Sequence, residues 1–261
     1  MKKLFYLFVA LLMSQHLLAA TIVVTNGNDS GAGSLRDAVS AANSGDVITF
    51  SGVSTVSLTS GQLDINKSLT IDGSPPGVTV TRTSGTFRII YISGAFNVSL
   101  QNLTISNGSG GGIYAGLNSQ LNLRSCVITG NESPSLQGGG ILHVGGTNSS
   151  LTMDFCTVSS NSTGNISGAH GAGGVGSAAQ NNSINNSTFD NNTSATSGGA
   201  FRAENSNCTY TFTNCTFSNN TATSAGGGAF RSTANNHTIT FVNCTITGNR
   251  TLSGSGGGVS I

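Results

Sequence analysis

Four cysteines constrain this chain more than any other feature. Cys126, Cys156, Cys215 and Cys244 follow one another at intervals of 30, 59 and 29 residues, a period near 30 with one member missing. A period of that length marks stacked repeats, whose single units cannot bury an apolar face alone. Aligned on the cysteines, five segments superimpose: 121–131, 151–161, 182–192, 210–220 and 239–249, with Ser187 at the cysteine position of the third. Three residues before that position stand Leu123, Met153, Ile184, Phe212 and Phe241, and two after it Ile128, Val158, Phe189, Phe217 and Ile246. Five after it the residue is asparagine each time: Asn131, Asn161, Asn192, Asn220 and Asn249. A glycine cluster and a β-former then follow, as in Gly198-Gly199-Ala200-Phe201 and Gly227-Gly228-Ala229-Phe230.

Inside each copy apolar and polar residues alternate, as in Tyr210-Thr211-Phe212 and Cys215-Thr216-Phe217, which is the period of a strand. The phase slips between Phe212 and Cys215, so the two short strands are joined by a bend. Glycine clusters mark the other corners. Stacking such coils in parallel buries what one coil cannot, and the economical expectation is an all-β, right-handed parallel β-helix. About seven coils at a spacing near 4.8 Å would make a rod on the order of 30 Å long. Only 7% of the residues are charged, against roughly a quarter in an average domain. A ladder accounts for that deficit: like charges stacked in register repel, whereas Asn, Ser, Thr and Gly repeat without penalty.

The columns suggest roles. Cys126, Cys156, Cys215 and Cys244 read as small buried apolar groups whose volume matters, since Ser187 substitutes for one of them; inert thiols are expected over a vertical disulfide or a metal site. Cys208 falls outside the column and is the one candidate for intermolecular chemistry, with a partly exposed, idle thiol as the expected reading. The asparagine column is expected to stack amide on amide. The many Asn-X-Ser/Thr triplets follow from composition.

Residues 1–20 combine Lys2 and Lys3, an apolar run from Leu4 to Met13 and the small exit Leu18-Ala19-Ala20, which describes a secretory signal peptide. Without Lys2 and Lys3, eight basic residues face nine acidic ones, so an electrostatic nucleic-acid partner is not expected. A stacked sheet also needs a cap. Residues 33–43 form the one convincing helix, with Ser34 at its start and Leu35, Ala38, Val39 and Ala42 on one face, a lid over the first coil within a cap spanning 21–60. The repeats run over 61–261 and stop inside a coil, so any membrane anchor is expected beyond this sequence.

Two stretches carry resemblances. Residues 25–43, with Gly33-Ser34-Leu35-Arg36-Asp37-Ala38-Val39 at their centre, resemble the N-terminal module of many bacterial surface β-helix proteins, whose core often reads Cys-Ser-Leu-Arg-Glu-Ala-Ile. Here Gly33 replaces the Cys and Asp37 the Glu. The copies Phe189-Asp190-Asn191-Asn192 and Phe217-Ser218-Asn219-Asn220, with Gly198-Gly199-Ala200 and Gly227-Gly228-Ala229, resemble the alternating repeats of chlamydial polymorphic outer membrane proteins. Together the resemblances cover most of residues 21–261. They imply a β-helical passenger at a bacterial cell surface, acting in adhesion on a host-cell surface or glycan.

The alternatives are a purely structural stalk of a larger surface protein and a polysaccharide lyase or glycosidase, which needs clustered carboxylates or a carboxylate pair. Glu132, Asp154, Asp190 and Glu204 lie at +6, −2, +3 and −11 from the cysteine column and share no column. No catalytic residue, cofactor site or metal site is therefore expected. Counting three residues past the last glycine of each cluster collects Ala115, His143, Ser177, Arg202 and Arg231. His143, Arg202 and Arg231 are the candidate surface strip for an anion or glycan, with two solvated outer-face arginines as the simpler reading.

Overall fold

The computed structural model describes residues 19–74, 76–134, 138–164, 171–232 and 234–261. Of the expected leader, residues 1–18 lie outside the described ones. Among the described residues the strands form three parallel sheets of fifteen, eight and five strands. Each successive coil lays a strand on the previous one in the same direction. The eight-stranded sheet counts about eight turns, one more than the repeat spacing implies. The predicted columns are real rows: Val158 pairs with Phe189 and Phe189 with Phe217, while Met153 pairs with Ile184 and Ile184 with Phe212.

The bend forced by the phase slip is a left-handed residue immediately before the cysteine column. Ser125, Phe155, Asn186, Asn214 and Asn243 all have φ between 49° and 54°. A second left-handed corner stands immediately before the asparagine column, at Gly130, Ser160, Asn191, Asn219 and Gly248. Asparagine tolerates that region better than most L-residues, so the surface asparagines act as corner pieces. Glycine meets a different demand at the cluster: a Cβ on Gly173 or Gly199 would collide with backbone of the adjoining segment and of the next coil.

The core changes character along the axis. Early coils bury Val56, Leu58, Ile65, Ile71, Val80 and Ile92, whereas later ones stack phenyl rings. Phe189 and Phe217 lie 4.8 Å apart with planes 4° from parallel, and Phe212 and Phe241 4.9 Å apart at 11°. The ring stack follows the ladder spacing, so each ring meets its own kind in the next coil.

The helix spans Leu35–Ala41, shorter at both ends than its sequence signal. Ser34 caps it by accepting from the Asp37 amide, and Asp37 accepts in return from the Gly33 amide at 3.0 Å. Gly33 sits at φ +76°, a conformation that favours glycine where the resembled module carries Cys. Leu35, Ala38 and Val39 are buried, and Arg36 ties the helix to the first turns, donating to the Gln62 and Gly61 carbonyls and pairing with Asp29 at 2.6 Å. Burial opposes ionisation of Asp29, yet its hydrogen bonds with Arg36 and Ser60 hold the carboxyl down at about 2.

Candidate functional site

The asparagine column is the most ordered polar feature of the fold. Asn131, Asn161, Asn192 and Asn220 are fully buried. Each Nδ2 donates to the Oδ1 of the asparagine in the next coil, at 2.8–3.0 Å, and to a backbone carbonyl, Val158 O for Asn192. Each backbone N–H donates to the same Oδ1, as Asn161 does to Asn192 at 3.1 Å. Two donors and two acceptor positions are thereby used on each interior amide, which leaves nothing to offer a ligand.

The cysteines are free, and Cys126, Cys156 and Cys215 are buried with Cys244 half-buried. Cys215 donates weakly to the Ile184 carbonyl, and burial pushes its thiol up to about 11. In the third copy Ser187 Oγ donates to the Asn185 carbonyl and accepts from the Cys156 amide, so a hydroxyl fits the same slot. Cys208 is buried rather than partly exposed: its sulfur lies 3.4 Å from the Ser206 carbonyl, and burial raises its pKa.

The candidate strip divides. Arg202 and Arg231 are vertical neighbours as counted, but His143 belongs to the adjacent column, paired with Ser177, which in turn pairs with Ala203. The counting rule failed because Ala200 and Ala229 occupy the place held by the last glycine, Gly140 or Gly174, in other copies. One residue of slip moves a side chain to the opposite face. His143 therefore points inward and is fully buried; its Nδ1 accepts from the Gly145 amide at 3.0 Å and its Nε2 lies 3.2 Å from the Ser119 carbonyl. Those partners fit a neutral ring, and burial lowers its pKa to about 4.

Arg202 is not a solvated arginine either. It is 2% exposed, donates from Nε to Glu204 Oε2 at 3.1 Å and from Nη1 to Ser197 Oγ at 2.6 Å. Glu204 is nearly as buried, and burial raises its carboxyl to about 7 against the pull of Arg202. Its Oε1 has no hydrogen-bond partner and lies over Gly176, where a Cβ would come within 3.2 Å of it. Arg231, half-exposed, bonds Ser260 through Nη1 while its Nε stays unpartnered.

The same outward column opens on exposed Asp64, which pairs with Tyr91, and continues through an aromatic pair that the count missed by one residue when it collected Ala115. Tyr91 pairs with Tyr114, and Tyr114 with Leu142, which leads through Gly176 to Arg202. The tyrosine rings stack at 4.7 Å and 13°, and the Arg88 guanidinium lies 4.9 Å from the Tyr114 centroid. The signal was present in Ile90-Tyr91-Ile92 and Ile113-Tyr114-Ala115, where an aromatic takes the outward place between two buried residues. The face thus offers exposed Asp64 and a half-exposed aromatic–cation cluster toward one end and Arg231 toward the other. Leu142, Gly176 and Arg202 are covered between them.

Most carboxylates are engaged by the scaffold. Asp46 accepts from the Ala20 and Asn43 amides, Asp72 from Ser74 and Asn102, Asp154 from Asn186, and Asp190 from Ser218 and Asn219. Among the described residues no three His, Cys, Asp or Glu side chains converge as a metal site would require, and no helix is long and apolar enough to cross a membrane.

Comparison with known proteins returns one family. Its model, described as a right handed beta helix region, matches residues 88–261, two thirds of the chain. No curated protein matches.

Proposed function

The chain belongs to the right-handed β-helix family, and from that fold we propose a non-catalytic role: an exported passenger that acts in adhesion or display at a bacterial surface. One observation carries the reading. Asp46, Asp72, Asp154 and Asp190, which could have contributed to a reactive cluster, are distributed along the rod as turn and ladder fittings, each held by its own scaffold partner. What remains on offer is an elongated surface, with Asp64, Arg88, Tyr91 and Tyr114 toward one end of a column and Arg231 toward the other. Stacked aromatics beside guanidinium groups suit the faces and acidic groups of a host-cell glycan. The resemblances of residues 25–43 and of the repeats point to the same setting, with the leader directing export.

Attachment of the secreted chain to host cells and to immobilised acidic glycans tests this. Binding should fall in Tyr114→Ala and Arg231→Ala while the fold persists; attachment unchanged in both variants would remove the column from the proposal.

A second reading, a glycan-degrading enzyme, draws support from Glu204 alone. A carboxyl raised to about 7 with one free oxygen is equipped for proton transfer near neutral pH. Uronate or reducing-end release by this chain, lost in Glu204→Gln, would establish that reading and overturn the first.

A further inference from the structure

The eight-stranded sheet turns a regular face to solvent. Register pairing builds two outward columns along it, separated by the buried row that includes Val80, Ile105, Val158 and Phe217. The first column runs from Thr55 to Thr245 and is threonine in seven of eight coils; Val127, in the fourth, keeps the same branched shape. The second runs from Ser57 to Thr247 and is serine or threonine in seven of eight, with Asp190 as the exception. All but Ser106 are half-exposed or exposed.

Strand propensity alone does not account for this. The fifteen-stranded sheet meets the same backbone demands with one column that is hydroxyl in six of seven coils, from Thr70 to Thr240. The columns on either side of it mix Gln120, Asn181, Arg124, Asp154 and Asn185 with hydroxyl residues, so no two hydroxyl columns run side by side there. The eight-stranded face instead repeats hydroxyls at about 4.8 Å along the axis and roughly 6.7 Å across each strand, with a methyl in every coil of the first column and in three coils of the second. Each hydroxyl donates one hydrogen bond and accepts up to two. The backbone fixes their positions, so little order remains to be imposed when something binds.

The occupant of such a face must be flat, periodic, uncharged and able to donate and accept hydrogen bonds at fixed spacings. A polyanion finds no cation among the sixteen positions, and the one charge, Asp190, is already engaged by Ser218 Oγ at 2.6 Å and Asn219 Nδ2 at 3.0 Å. A crystalline glycan finds no aromatic ring to stack on. Ordered water meets every requirement: the hydroxyl rows can anchor a first layer of waters whose bonds are nearly as good as direct ones. The methyl row of the first column leaves that layer fewer competing orientations. We propose that the outer face of the eight-stranded sheet binds ice, an activity independent of adhesion to a glycan.

Thermal hysteresis and ice-crystal shape, measured on the purified full chain by nanolitre osmometry, test this directly. A gap between melting and freezing, with faceted crystals, is expected. Thr157→Tyr and Thr188→Tyr on the face should abolish it, whereas Thr211→Tyr on the outer face of the fifteen-stranded sheet should leave it intact, with circular dichroism unchanged in all three. Asp190→Thr completes the second column and should widen the gap, a gain that no folding defect can imitate. Unshaped ice growth in the presence of folded wild-type chain overturns the proposal. So does equal loss in Thr188→Tyr and Thr211→Tyr, or retention on crystalline cellulose or chitin without hysteresis.

Discussion

Two corners of the same coils solve the problem of buried polarity in opposite ways. At the asparagine corner, Asn131 to Asn220 repeat one neutral group that is both donor and acceptor, so each copy satisfies its neighbours. Past the glycine corner, Arg202 and Glu204 place opposite charges within one coil, and Glu204 Oε1 is left without a partner. The coil spacing is the same in both places. A group complementary to its own copy can be stacked indefinitely, whereas an ion pair closes on itself and passes nothing to the coil above or below. Order along the axis therefore belongs to the amides, and the residual chemical potential of the rod to the charged column.

The largest expected effect breaks the amide corner. Asn192→Ala orphans the second Asn161 donor, the Asn161 backbone N–H and the Val158 carbonyl. At about 1–3 kcal/mol for each buried unsatisfied group, the loss should reach roughly 3–5 kcal/mol in denaturant unfolding. Asn249→Ala, at the half-buried end of the ladder, should cost about 1 kcal/mol because water can replace the missing amide. Equal losses at the two positions would show that the ladder is a set of independent caps.

A smaller effect separates the charged column from the inward histidine by pH. Glu204 titrates at about 7 when folded against an ordinary 4.5, so the native state holds its proton more tightly and this contribution to stability falls as pH rises from about 4.5 to 7. His143 titrates at about 4 against an ordinary 6.5; its contribution is lost in the other direction, as pH falls from about 6.5 to 4. The two trends oppose each other across one window. Melting temperature should therefore rise with pH in Glu204→Gln and fall with pH in His143→Gln over that range, with wild type flatter than either. Parallel profiles in the two variants would remove both assignments.

The smallest effect concerns the cysteine slot. Cys215→Ser should cost about 1 kcal/mol or less, since Ser187 already occupies that slot with both polar atoms satisfied. Thiol titration of the native chain should be slow at Cys215, whose pKa of about 11 leaves little thiolate near neutral pH.

What could be read in the sequence follows from stacking. A residue repeated at one position of every coil meets itself, so the cysteine, asparagine and aromatic columns declare both their existence and their partners in the spacing alone. The cap was legible for a related reason: Ser34, Asp37 and the apolar face of Leu35, Ala38 and Val39 are local signals within one helix. The outer column was less legible. Substituting Ala200 for the last glycine moves the count by one residue, and a strand's period of two converts that slip into the wrong face for His143. Tyr91 and Tyr114 lie in coils that carry neither marker residue, so they joined the column only through pairing.

The sequence by itself determined a solenoid and the identity of its ladders, because a ladder is a one-dimensional repeat and repeats survive in linear form. Only the tertiary structure decided that Arg202 is buried against Glu204 and Ser197, that His143 faces inward, and that the two hydroxyl columns run from the first coil to the last with one exception each, Val127 and Asp190. Each of these depends on how one coil is registered on the next and on what covers it, and burial is a property of neighbours that no single repeat encodes.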